Sequence, residues 1–237
     1  MSKNTVKGYY REDIINKFAE SLAAAKEMIK NGEDVHVKIS KGNRKMGEVP
    51  SVSTLPFLTC PGICSKSCGI ACYAAKIANL YKNVMNSYAI NTALALYEPE
   101  KYWNEINHAV KGFRFFRFHV SGDIINYDYF VNMVKVAVNN PHCDILVFTK
   151  RYEVVNKYCD ENGGSAAIPG NLHILFSGWI NLTPVNPYNF PETNIFDNDH
   201  EPDKNWLICG GNCFNCGCAG LGCWKAAHGE TVAFKKH

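Results

Sequence analysis

Apolar positions recur at helical spacing near the start of the chain. In "REDIINKFAESLAAAKEMIKNG" Ile14, Ile15, Phe18, Leu22, Ala25 and Ile29 share a face, and Gly32 is a stop signal. "DVHVKIS" then alternates, with Val35, Val37 and Ile39 on one side, which predicts a strand. "KGNRKMGEVPS" is a basic, glycine-containing turn, and "SVSTLPFLTC" is a short extended run. Beyond residue 73 the pattern becomes rhythmic. "AAKIANLYKNVMNSYAINTALALY" is helical and "FRFFRFHV" is strand-like, with Phe113, Phe115 and Arg117 facing one way and Arg114, Phe116 and Phe118 the other. "NYDYFVNMVKVAVNN" is helical, "CDILVFT" a strand, "YEVVNKYCDE" helical and "NLHILFSGW" a strand again. Strands alternating with helices predict an α/β fold with a parallel sheet or a partial parallel (β/α) barrel. The Pro/Asn/Asp-rich run 181–206 breaks the rhythm and reads as a long irregular loop. The expected organisation is a helix–strand segment over 1–50 packed on the barrel, a core over 51–185, and a Cys-rich extension over 186–237.

In parallel βα architectures function collects at the C-terminal ends of the strands. Four stretches then share one rim: the segment Cys60 to Cys72, "HVSGD" (His119 to Asp123), "TKR" (Thr149 to Arg151) and "SGW" (Ser177 to Trp179).

Composition narrows the chemistry. Of 237 residues 46% are hydrophobic and 12% aromatic, which is globular rather than disordered; the net charge of +3 is mild, with no concentrated basic stripe. The N-terminus lacks an apolar signal segment and no apolar run approaches about 18 residues, so a reducing cytoplasm and no membrane partner are expected.

Cysteine changes the picture most. There are eleven, an odd number, and nine fall in two tight groups, which favours metal ligation over disulfides. Cys60, Cys64, Cys68 and Cys72 stand four apart, but twelve residues of helix would rise about 18 Å. Thiolates on one metal, with bonds of about 2.3 Å, must be neighbours. Pro61, Gly62 and Gly69 also oppose a straight helix, so the stretch reads as a loop wound around something. A compact run of four cysteines favours an iron–sulfur cluster, zinc being the alternative. The second group, Cys209, Cys213, Cys216, Cys218 and Cys223, lies among glycines that let amides approach sulfur. It is a second cluster or a zinc-stapled tail, or part of one site shared with the first loop. Cys143 and Cys159 stand alone, as buried structural thiols do.

Other rim residues have two readings each. His119 and Asp123 bind a cofactor or substrate, Asp123 accepting from an ammonium group, or they are a satisfied histidine and a helix N-cap. Lys150 and Arg151 hold a carboxylate or phosphate, or begin a solvated helix. Arg117, sharing its face with His119 and Ser121, is the better candidate of the two strand arginines to point inward. Tyr127 and Tyr129 read as core.

Two resemblances rest on these motifs. "CGIACY" closing the loop, and "RFHVSGDIINYDYFVNMVKVA" with Ser121, Gly122 and Asp123 at the turn, resemble radical S-adenosylmethionine enzymes. Here the loop runs Cys-x3-Cys-x3-Cys-x3-Cys, one residue longer in its last step than that family's. "GNRKMGEVPS", the loop ending "CYAAK", "RFHVSGD", "VFTKR" and the C-terminal "CFNCGC…CW…VAFKKH" are together similar to the phage gene product 88 family. The resemblances imply a radical-type barrel with a 4Fe–4S cluster, Cys60, Cys68 and Cys72 being the regular ligands and Cys64 less so. They imply S-adenosylmethionine held by Arg117, His119, Ser121, Gly122, Asp123 and Lys150, cleaved reductively to act on a substrate the sequence does not identify. They also keep His237 as a weak candidate. The competing class is a non-catalytic, metal-stabilised phage protein that binds a host protein or nucleic acid.

Overall fold

The first helix forms where its apolar stripe says it should. α1 spans Arg11–Lys30, with Glu12 and Asp13 in its first turn, Lys30 in its last, and Ile14, Phe18 and Ala25 buried. The computed structural model describes residues 5–6 and 9–236. Strands β1 (Thr5–Val6) and β2 (Tyr9–Tyr10) pair antiparallel ahead of α1.

The strand expected over 34–40 is shorter than its alternation suggests: β3 is only Ile39–Ser40. Side chains take up the backbone groups before it. The Val37 amide donates to Glu105 Oε2 at 2.7 Å, and the Lys38 amide donates to Asn91 Oδ1 at 2.7 Å. The Asn91 amide group in turn donates to the carbonyls of Lys38 and Ser53. A segment whose polar groups are satisfied this way needs no strand partner. β4 is Ser51–Val52, and the cysteine loop follows.

The long helix expected after the loop is two. α2 (Tyr73–Leu80) and α3 (Lys82–Tyr97) meet at Tyr81, whose backbone is extended (φ −119°, ψ 104°). A further helix, α4 (Pro99–Val110), starts on a proline and buries Tyr102, Trp103, Ile106 and Val110. Then come β5 (Phe115–Phe118), α5 (Tyr127–Asn139), β6 (Asp144–Thr149), α6 (Tyr152–Asn162) and β7 (Leu172–Ser177). The run 181–206 is not wholly irregular. It contains β8 (Glu192–Phe196), followed by β9 (Leu207–Ile208), α7 (Cys213–Ala219) and β10 (Thr231–Lys235).

Eight strands join one sheet in the order β3-β4-β5-β6-β7-β8-β10-β9, parallel throughout except for the β3–β4 pair. The mixed α/β, mostly parallel architecture is the one the alternation predicts. The three C-terminal strands, β8, β10 and β9, continue the core sheet.

The two faces of the sheet differ. Phe116, Phe118, Ile145, Val147, Ile174 and Phe176 pack against α4, α5 and α6. Phe115, Leu146, Leu175 and Val232 meet Trp224, Met46 and Val49, with Phe214 and four cysteines of the C-terminal segment around them. Trp224 is the wedge of this second core: its ring lies 5.0 Å from Phe115, and its Nε1–H donates to the Cys213 carbonyl at 2.8 Å. Trp224→Ala is therefore expected to cost about 3–5 kcal/mol and to make the C-terminal segment protease-sensitive before the rest. Chemical denaturation with limited proteolysis checks this; unchanged stability would mean the wedge is dispensable.

Candidate metal centre

The first cysteine loop winds as its spacing requires. Two short 3-10 turns, Gly62–Lys66 and Cys68–Ala71, break at Ser67 (φ −130°, ψ −115°), whose Oγ–H donates to the Ile63 carbonyl at 3.0 Å. The second turn lies on the first so closely that a Cβ on Gly69 would collide with the Cys64 carbonyl. Cys72 caps α2, its Sγ accepting from the Ala75 amide at 3.4 Å.

Cys64 is 5% exposed, whereas Cys60, Cys68 and Cys72 are half-buried. The Cys64 thiol is pushed up by the thiols of Cys60 and Cys68 on either side and by burial. Burial pushes Cys72 up to about 11, and the charges of Cys60 and Cys68 add to it. Cys68 is lowered, first by the Cys64 thiol and then by the Lys150 ammonium, against burial. The thiols of this loop thus act on one another, with the Lys150 ammonium near Cys68 and Arg11 against the loop at the Ser65 carbonyl. Among the described residues no three His, Cys, Asp or Glu side chains are set to hold a metal ion as they stand. The donor set nevertheless fits a sulfur-ligated metal or cluster: several soft thiols at a strand-end loop, and an amide already aimed at one sulfur.

Beneath the loop lies a polar shelf. Gly122 (φ +80°) presses its backbone onto Thr54 and Thr59; a Cβ there would stand 2.6 Å from Thr59 Oγ1 and still closer to Thr54 Oγ1. Thr59 Oγ1 donates to the Leu55 carbonyl at 2.9 Å, lies 3.0 Å from Thr54 Oγ1, and accepts from the Asp123 amide. Asp123 Oδ1 accepts from Thr149 Oγ1 (2.6 Å) and the Ile124 amide (2.8 Å), and Oδ2 from the Lys150 amide (2.9 Å). It does not cap the following helix. Asn126 does, its Oδ1 accepting from the Tyr129 amide. Burial pushes Asp123 up, opposed by those three donors and Lys150. Lys150 is buried too; its Nζ donates to Ser177 Oγ at 2.6 Å. The four rim stretches do converge, but Asp123 is engaged by the end of β6 and the Lys150 ammonium by the end of β7. Arg151 leans elsewhere, donating from Nε to the Ile124 carbonyl and pairing with Glu153.

His119 departs from the expected alternation. β5 ends at Phe118, and His119 takes a left-handed backbone (φ 59°). Its ring therefore turns to the helix layer, 5.5 Å from the Tyr129 ring, instead of sharing a face with Arg117. Both ring nitrogens are buried without a hydrogen-bond partner, as is Ser121 Oγ. Burial lowers His119 to about 3; the Arg117 charge adds to this, and the nearby Ser121 backbone opposes it. Arg117 faces the other way. Its Nη1 lies 3.9 Å from Cys213 Sγ and its guanidinium 4.4 Å from the Phe148 centroid, while Nε has no partner.

The C-terminal group gathers four of its five cysteines. Cys209, Cys213, Cys216 and Cys223 feel one another's charge, and burial is the main cause of the upward shift in the last three, Cys223 reaching about 12. Cys218 is exposed and stands apart. The turn between β3 and β4 closes over this group: the amides of Cys213 and Phe214, at the start of α7, donate to the carbonyls of Lys45 and Met46. Cys209 Sγ accepts from the Gly211 amide at 3.4 Å. Tyr73, the aromatic that closes the loop, lies within electrostatic reach of both groups. Its hydroxyl donates to the Val120 carbonyl at 2.9 Å, and it feels the charges of Cys72, Cys213 and Arg117. Cys143 and Cys159 are buried in the helix-side core. His237 lies outside the described residues.

These features define a mostly parallel α/β protein with one cysteine loop at the strand ends and a second thiol group against the opposite sheet face. The family model described as Gene product 88 matches residues 17–183, most of the chain, and the chain belongs to that phage family. No curated protein and no solved structure matches. The match takes in the first loop and the turn that caps α7, but not the C-terminal cysteines.

His119 makes a pH prediction. Its folded pKa is below the unfolded value, so only the unfolded chain takes up the proton between about pH 6.5 and 3. Stability should fall through that window by up to about 1.4 kcal/mol per pH unit, and His119→Asn, which tolerates the left-handed backbone, should flatten the slope. Melting temperature against pH, wild type beside variant, reads it; parallel curves would refute it.

Proposed function

We propose that this phage protein is an iron–sulfur protein on a partial barrel of the radical S-adenosylmethionine type. In this reading Cys60, Cys68 and Cys72 hold a 4Fe–4S cluster at the rim, and Cys209, Cys213, Cys216 and Cys223 hold a second metal centre, cluster or zinc. The supporting observation is the unequal burial of the first loop: Cys64 lies beneath, while the other three thiols are half-open to the rim. Such a cluster supplies one-electron chemistry and, with three protein thiolates, an iron open to a small-molecule donor.

The chain's own residues have definable tasks around it. Lys150, fixed by Ser177, sets a positive charge beside the Cys68 sulfur. Asp123 holds the β6 end so that Lys150 stays there. The Ala75 amide donates to Cys72, and the apolar residues Leu55 and Phe57 under the loop keep water from its inner side. Arg117 plays the cationic part at the second group.

A second reading is favoured by a specific observation: the carboxylate of Asp123 and the ammonium of Lys150 are already engaged internally. In that reading Cys64 is the fourth ligand, the centre is closed, and the protein serves as a metal-stabilised module binding a host protein or nucleic acid.

Iron content decides between them. For anaerobically purified protein, Cys68→Ala and Cys72→Ala should each lose most of the iron of the first centre along with solubility, since metal binding is folding energy. Cys64→Ala should keep it and bind S-adenosylmethionine. Loss of iron in Cys64→Ala would favour the closed centre, and a colourless wild type with stoichiometric zinc would sink the iron–sulfur reading.

A further inference from the structure

The C-terminal ends of β6, β7 and β8 carry one polar layer on the sheet face that Trp224 covers lower down. Register aligns it. Phe148 pairs with Leu175 and Ser177 with Thr193, so Lys150, two residues past Phe148, is level with both. Phe148 and Leu175 form the apolar layer beneath. Phe148 meets Phe234 of β10 edge to face at 5.9 Å, although β7 and β8 stand between their strands. Three spacings of a flat sheet would separate the two by about 14 Å, so this face is concave. The half-exposed Trp179 ring stands beside the layer, 5.9 Å from Lys150 Nζ.

We propose that this layer binds the oxyanion, carboxylate or phosphate, of a small organic ligand whose apolar body lies on Trp179. Lys150 carries the argument. It is 6% exposed, yet among the described residues no carboxylate forms an ion pair with its ammonium. A buried ammonium is costly unless a charge partners it. The neutral groups that it does meet leave donors unspent: Ser177 Oγ at 2.6 Å and the Gly178 carbonyl at a long 3.5 Å, against three N–H bonds. Ser177 Oγ accepts from Lys150 but donates its own proton to no group among the described residues, and Thr193 Oγ1 has no partner there. The acids around the layer are occupied. Asp123 lends its charge, but its oxygens take Thr149 and the amides of Ile124 and Lys150. Glu192 is level with Phe176, on the opposite face, and accepts from Asn186. Asp197, past the end of β8, pairs with Lys236 and His200. The Cys68 thiol, on the loop side, is the other group that the Lys150 charge reaches. One fixed cation, two spare hydroxyl donors and an aromatic wall favour an anion over a neutral or cationic ligand. The layer lies where parallel sheets bind ligands, and it needs no metal at either cysteine group.

The test uses the full chain, purified anaerobically, in ligand-observed NMR titrations. The probes are phenyl phosphate, benzoate, neutral benzamide and inorganic phosphate. Wild type should bind at least one of the two organic anions, and benzamide at least about tenfold more weakly. Phenyl phosphate ahead of benzoate assigns the site to phosphate esters, and the reverse order to carboxylic acids. Lys150→Met should lose at least about tenfold in anion affinity, and the conservative Ser177→Ala and Thr193→Val about threefold each. Trp179→Leu should weaken the aromatic anion and leave inorganic phosphate unchanged. Circular dichroism and melting temperature of the two conservative variants should match wild type, which separates lost binding from lost folding. Absence of binding by both organic anions overturns the proposal, as does benzamide binding as tightly as they do. So does wild-type anion affinity in both Lys150→Met and Ser177→Ala.

Discussion

The carboxylate of Asp123 ties the working end of this protein together. It sits just past β5, yet its acceptors are filled by Thr149 and Lys150 at the end of β6 and by its own neighbour Ile124. A buried carboxylate left without donors would be costly, so the ends of the two strands cannot drift apart without that cost appearing. The tie extends to the cysteine loop. The Asp123 amide donates to Thr59, the residue before Cys60, and Gly122 lies against Thr54 and Thr59 where no side chain would fit. The start of the loop is thereby registered to the sheet, and Lys150 is registered to Cys68. The "SGD" turn contributes geometry here through its smallness as much as through its charge.

The opposite sheet face depends on a different constraint. Phe115, Leu146 and Leu175 need an apolar cover, and no helix of the repeating βα units supplies it, because α4, α5 and α6 all lie on the other side. The C-terminal segment fills that role with Trp224 and Phe214, and adds β8, β10 and β9 to the sheet edge. Its α7 is capped by the turn between β3 and β4, from the far end of the chain. The family match ends at residue 183, but the parts inside and outside it form one packed unit.

Much of this was legible in the sequence, and the failures have definite causes. The βα alternation, the winding of the first loop and the convergence at the strand ends follow from periodicity, from helix rise against metal–sulfur geometry, and from the parallel-sheet rule. Period-two reasoning failed at His119 because a left-handed backbone there is invisible in an alternating string. The 34–40 strand shrank because Asn91 and Glu105, more than fifty residues away, satisfy its backbone. The helix break at Tyr81 carries no proline or glycine to announce it. β8 hid in a stretch whose prolines and asparagines argue for loop; tertiary pairing with β7 and β10 overrode them. α4 was readable from Pro99 and the spacing of Tyr102, Ile106 and Val110.

The two cysteine groups share one electrostatic difficulty. Burial resists ionisation of Cys64 and Cys72 in the first and of Cys213, Cys216 and Cys223 in the second, and few cations stand near: Lys150 by the first, Arg117 and Lys45 by the second. A single ammonium or guanidinium offsets about one thiolate, so three or four thiolates in either place would repel one another without a further positive charge. On the metal-centre reading that charge is the metal's, and each loop gains its folding energy on loading. Tyr73 then matters because the charges of both groups reach it. It feels the charges of Cys72, Cys213 and Arg117, so on the same reading loading one group would change the electrostatic field that the other shares. On that reading two thiol groups about 140 residues apart in sequence would share one balance of charge.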